Sequence, residues 1–159
     1  MNYSKALNEC IESAYMVAGH FGARYLESWH LLIAMSNHSY SVAGATLNDY
    51  PYEMDRLEEV ALELTETDYS QDETFTELPF SHRLQVLFDE AEYVASVVHA
   101  KVLGTEHVLY AILHDGNALA TRILERAGFS YEDQKDQVRI AALRRNLEER
   151  AGWTREDLK

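Results

Sequence analysis

Apolar residues recur at spacings of three and four along most of the chain, and the stripes they draw fall into two sets of four. Leu7, Ile11, Ala14, Tyr15 and Ala18 share one face behind Ser4, whose hydroxyl suits a helix N-cap. This first helix fades at Gly19–Gly22. Ser28 opens a short second helix carrying Leu31, Leu32 and Met35. A third is predicted over 41–49, ending ahead of Pro51, because the residue before a proline is pushed out of helical geometry. A fourth covers 53–65, with Met54, Leu57, Val60, Ala61 and Leu64 on one side. Residues 67–79 carry no stripe and are polar and acidic.

The order then repeats. Ser81 precedes a helix bearing Leu84, Leu87, Phe88, Ala91, Val94 and Ala95, and Gly104-Thr105 opens a short one. A third over 117–127 closes at Gly128, a good C-terminal glycine. Ser130 and Asp133 resemble a capping box for a last helix reaching about 150, with Val138, Ile140, Leu143 and Leu147 on its apolar side. No alternating run bounded by turns competes, so the fold class is all-α.

The two sets are copies. Shifted by 77 residues, Tyr3–Tyr52 aligns with Phe80–Phe129 without a gap, and twelve of the fifty positions are identical. Most matches are small or apolar, as two versions of one packed unit require. Two pseudo-symmetric four-helix repeats are therefore expected: residues 1–66, an acidic linker at 67–79, and residues 80–150. In 151–159, Thr154-Arg155-Glu156-Asp157 resembles a further helix start, the expected beginning of a linker to another module.

Composition narrows the function. With 47% hydrophobic residues in 159, the chain can bury a sizeable core, yet no apolar run approaches the roughly 20 residues that span a bilayer. The single cysteine, Cys10, falls in a helical pattern and fits a reducing, cytoplasmic compartment. Net charge is −13, and residues 49–77 hold eleven acids against Arg56 alone. A field of that sign repels phosphate backbones, which disfavours nucleic acid.

The chain lacks a Gly-rich phosphate loop, Gly-x-Ser-x-Gly, Cys-x-x-Cys and His-Glu-x-x-His, so catalysis is not expected of it. Glu27-x-x-His30 has the spacing of a carboxylate–histidine pair in a di-iron bundle, which offers a helical metalloenzyme as an alternative. The second copy answers with Gly104-x-x-His107 and no carboxylate, which disfavours metal. Glu106 lies in the first turn of its helix, where the dipole favours a carboxylate. Exposed there, it would also grip a guanidinium. Ser81 starts another helix, and a hydroxyl with free N–H groups suits a phosphate. If those two helix starts are neighbours, they hold a group carrying both charges.

Gly104-Thr105-Glu106-His107 with its apolar run, Asp115-Gly116-Asn117 and Ala127-Gly128-Phe129 closely resemble the Clp N-terminal repeat domain of Hsp100/Clp AAA+ unfoldases. Among members the chain looks most like the ClpC type of Gram-positive, streptococcal bacteria. The resemblance implies a cytoplasmic recognition module that docks a MecA-type adaptor and substrate proteins and passes them to an ATPase ring feeding ClpP. It implies no cofactor in this segment; ATP and Mg would belong to ATPase modules outside it, which also hold the hexamer together. It further implies a phosphoarginine pocket in each repeat. Ser81, Thr105 and Glu106 match the second pocket. Ser4 and Ser28 match the first, where Trp29 replaces the glutamate and leaves a degenerate site. Glu77 and Phe80 are the expected adaptor-docking residues.

Overall fold

The computed structural model describes residues 1–67, 77–115 and 118–152, and the chain is all-helical. The first repeat holds α1 (Lys5–His20), α2 (Ser28–Asn37), α3 (Val42–Leu47), a 3-10 turn at Met54–Arg56 and α4 (Leu57–Thr65). The second holds α5 (His82–Val97), α6 (Thr105–His114), α7 (Leu119–Arg126) and α8 (Tyr131–Gly152). Ser4 and Ser81 cap α1 and α5, their hydroxyls accepting from Leu7 N and Leu84 N at 3.1 Å. Gly128 takes φ 99° after α7, a conformation that side-chain-bearing residues resist.

Within each repeat the first two helices run antiparallel. Glu9 near the start of α1 meets His38 at the end of α2, Oε2 to Nε2 at 2.9 Å. At the other end Phe21 packs edge-on against Trp29 at 4.6 Å. In the second repeat Arg83 Nε donates to Asp115 Oδ2 at 3.0 Å, tying the start of α5 to the end of α6.

The later helices cross between repeats. α4 packs on α7, and α8 packs on both α6 and α3. Glu53 N donates to Ala127 O at 2.7 Å, and Tyr52 stacks edge-on to Phe129 at 5.9 Å. One continuous core results, running from Leu7 to Ala142.

Several expectations are corrected. Met54 lies in a 3-10 turn and is only half-buried, so Leu57, Val60 and Ala61 alone bring α4 to the core, with Leu64 at its edge. Arg56 N bonds back to Glu53 O and holds the tighter turn. On α8, Ile140 is 53% exposed; Tyr131, Val138 and Ala142 face inward, spaced seven and four apart, and Leu143 is half-buried. Val94 is also half-buried. The third helices are shorter than expected, and α8 runs two residues longer. Asn117, the side chain of Leu147, most of the acidic linker and the helix start at 154–157 lie outside the described residues.

Candidate functional site

Two short backbone pairings decide where the candidate residues sit. Ser4 N donates to Leu103 O and Leu103 N to Asn2 O, both at 2.8 Å. Ser81 N donates to Leu26 O at 3.0 Å, and Leu26 N to Pro79 O at 2.9 Å. These are one contact made twice, since Tyr3 and Leu26 correspond to Phe80 and Leu103 under the repeat offset. Each joins the N-cap of one repeat to the segment ahead of the second helix of the other.

The expected grouping by repeat is therefore wrong in space. Ser81 and Glu106 sit at opposite ends of the antiparallel α5–α6 pair, and α5 with its 16 residues is about 24 Å long. Ser4 is instead the N-cap beside Gly104-Thr105-Glu106, and Ser81 the one beside Glu27-Ser28-Trp29.

Glu106 is not exposed either; its residue exposure is 5%. Its carboxylate folds back over Gly104, so that a Cβ built at Gly104 would lie 2.5 Å from both carboxylate oxygens. Oε1 stands 3.6 Å from His107 Nε2, and His107 Nδ1 accepts from Gly104 N at 2.9 Å. Thr105 is buried as well, and its hydroxyl accepts from Ala43 N at 3.1 Å, fastening α6 to α3.

The first-repeat turn solves the same problem differently. His30 Nδ1 accepts from Glu27 N at 2.9 Å, as His107 does from Gly104. Trp29 stands where Glu106 stands and packs on Phe21 and on the His30 ring, whose centroid is 3.9 Å away. His30 Nε2 is buried without a hydrogen-bond partner. Burial alone pushes the His30 pKa down to about 3, so the ring is neutral. Glu27 and His30 thus meet as a helix-start contact, and among the described residues no three His, Cys, Asp or Glu side chains converge as a metal site would require. Cys10 is buried and its thiol pKa is pushed up to about 12, chiefly by desolvation. At that pKa it is a packing residue.

The segment Glu77–Phe80, held by the pairing of Phe80 with Leu26, forms one wall of a groove of about 730 Å³. Tyr3, Ile11, Tyr15 and Phe80 give it apolar walls, and Glu12 and Glu77 bring carboxylates. Glu77 and Phe80 were expected from sequence; Tyr3, Ile11 and Tyr15 were missed. Ile11 and Tyr15 fall on the core stripe of α1, which hid their second face. The aligned aromatics Tyr3 and Phe80, each just ahead of an N-cap, are the signal that would have found the groove.

The family profile of the Clp repeat (R) N-terminal domain matches residues 2–127 and again 79–150. The chain belongs to this family. Clp N-domains are non-catalytic modules of Hsp100/Clp chaperones that bind substrates and adaptors. The N-terminal domain of ClpD, a caseinolytic protease associated chaperone from Arabidopsis thaliana, superposes with TM-score 0.71 at 20% identity, covering 91% of this chain and 96% of its own. A chain from a malarial protein secretion system gives 0.66 at 20%, covering 89% and 95%. The Hsp104 N-terminal domain of Candida albicans gives 0.66 at 18%, covering 90% of each. At such identities the likeness is one of fold. No curated protein matches the chain in sequence. The crossed pairings mark the seam between the two copies, and the groove between Tyr3 and Phe80 opens on that seam. No described helix is long and apolar enough to cross a membrane.

Proposed function

We propose that this Clp N-domain is the adaptor- and substrate-recognition module of a ClpC-like unfoldase, docking a MecA-type adaptor for unfolding and ClpP degradation by the full-length hexamer. The observation that carries the reading is the seam groove. It presents half-buried aromatic side chains, Tyr3 and Phe80, beside the carboxylates of Glu12 and Glu77. Aromatic anchors with a charged rim are what a protein docking site offers a partner. The test is a calorimetric titration with a purified MecA-type adaptor. Phe80→Ala and Glu77→Lys are expected to weaken binding by about tenfold or more, the size of an interface anchor. Unchanged affinity in both would remove the groove from the docking surface.

Phosphoarginine recognition is a second reading, and the crossed seam favours a particular form of it. Ser4, Thr105 and Glu106 would act together across the repeats, with the start of α1 facing the phosphate and Glu106 turning out from Gly104 toward the guanidinium. Ser81 would instead belong with Ser28 and Trp29, where tryptophan stands in place of the carboxylate equivalent to Glu106. Free phosphoarginine is expected to titrate near one per chain, with loss in Glu106→Ala and Ser4→Ala and retention in Ser81→Ala. Loss in Ser81→Ala with retention in Ser4→Ala would restore the grouping by repeat. No heat with the wild type would sink this second reading and leave adaptor docking standing.

A further inference from the structure

α5 carries two apolar stripes. One, through Leu84, Leu87, Phe88, Ala91 and Ala95, enters the core. The other, Val86, Tyr93 and Val97 at spacings of seven and four, is 44%, 71% and 56% exposed. A helix in a monomeric domain has no need of the second stripe.

That stripe borders a valley. α5 and α8 each pack on α6 but scarcely touch one another, so α6 is left as a floor between two helical walls. The space is about 470 Å³, with Tyr110 and Ala111 on the floor and Val86, Tyr93 and Val94 along the α5 wall. Arg139 forms the opposite wall, its guanidinium 4.0 Å from the centre of the Tyr110 ring. Its charge is engaged, with Nη1 donating to Asp136 at 3.0 Å. Asp89 and Glu90 on the α5 wall are exposed. The valley is thus apolar on its floor and negative at its α5 lip, with His114 and Arg139, whose Nη2 lies 3.3 Å from His114 Nδ1, also lining it. Among the described residues the first repeat is arranged differently: α4 packs on α7 rather than closely on α2, and Val86 and Tyr93 correspond to Glu9, tied to His38, and Met16.

We infer that the α5–α6–α8 valley is a second docking surface, distinct from the seam groove, and that its occupant is a basic amphipathic helix of a protein partner. Helical walls of this kind accept a helix that lays its apolar face between them. Lysines or arginines flanking that face would meet Asp89 and Glu90, whereas an acidic helix would be repelled at the same lip.

The probe is a pair of fluorescein-labelled amphipathic peptides of leucine with lysine, and of the same leucine pattern with glutamate, titrated by anisotropy at physiological salt. The lysine peptide is expected to bind the wild type at least about tenfold more tightly than the glutamate peptide, a gap of ~1.4 kcal/mol. Tyr93→Ser with Val86→Ser, both exposed positions, should weaken it by about tenfold. Asp89→Lys with Glu90→Lys should reverse the peptide preference. Glu53→Lys with Glu59→Lys, away from the valley, is the control for the overall negative charge and should change little. Equal weakening by the control pair, or undiminished binding in the Tyr93→Ser pair, would overturn the inference. Adaptor affinity read on Phe80→Ala reports the seam groove separately, so each surface can fail alone.

Discussion

At the scale of single residues, Gly104 and Glu106 are one device. The carboxylate occupies the space a Cβ at 104 would need, and it is buried there, so displacing it costs its packing. Gly104→Ala is expected to cost about 1–3 kcal/mol in urea unfolding. Most of that cost should vanish in a Glu106→Ala background, because contacting residues do not add; equal costs in both would show that the Cβ meets something else. The first repeat varies both positions together, with Glu27 for the glycine and Trp29 for the glutamate. Trp29→Glu alone is therefore expected to lower Tm, since Glu27 crowds the new carboxylate and the edge contact with Phe21 is lost. Adding Glu27→Gly should recover part of the loss, and the unpartnered His30 Nε2 then gains an acceptor. His30 itself makes stability depend on pH. Its folded pKa, about 3, lies below the unfolded value near 6.5, so the unfolded chain takes the proton first. Its contribution is complete above about 6.5 and is lost as pH falls toward 3, by up to ~1.4 kcal/mol per unit. The difference between wild type and His30→Gln in urea unfolding, followed from pH 7 downward, should shrink in that window; a constant difference would count against a neutral buried ring.

At the scale of elements, the helix starts hold the repeats together as much as they begin helices. Thr105 opens α6 and also takes the Ala43 N–H at the start of α3, 62 residues away in sequence. Thr105→Val keeps the shape but orphans a buried donor, at an expected cost of about 1–3 kcal/mol, while Thr105→Ser should keep most of the stability. Urea midpoints separate these outcomes, and equal loss in both variants would point to the methyl group instead. The helices themselves were largely legible. Ser4, Ser28 and Ser81 were placed correctly because capping and a 3.6-residue period are local properties of a dozen residues. Met54 and Ile140 were misplaced because each fits a helical stripe on its own element. Whether such a stripe is covered depends on what lies opposite, and at those two positions too little does.

At the scale of the whole molecule, the repeats share one core, and each lends the other a wall. α4 leans on α7, α8 on α3, and the two backbone pairings stitch each N-terminal segment to the opposite repeat. Residues 1–66 and 80–152 made as separate chains are expected to lack a cooperative thermal transition by circular dichroism and to regain helix and cooperativity when mixed. A cooperative transition in either fragment alone would mean that one repeat buries enough by itself. The same sharing creates the seam groove, and the packing of α5 and α8 on either side of α6 creates the valley.

By itself the sequence determined the helices, their starts, the duplication and the family, because each is written in local periodicity, capping chemistry and residue identity. It also offered Glu77 and Phe80 as docking candidates, from the acidic stretch and the opening at 77–81. The tertiary structure alone decided which residues share a site. A duplicated unit can close on itself or exchange edges with its twin, and both arrangements satisfy the same local pattern. Here the edges are exchanged, so Ser4 lies with Glu106 and Ser81 with Trp29. The burial of Glu106 was equally hidden: a carboxylate in a helix's first turn reads as exposed until a glycine two residues earlier is seen to make room for it.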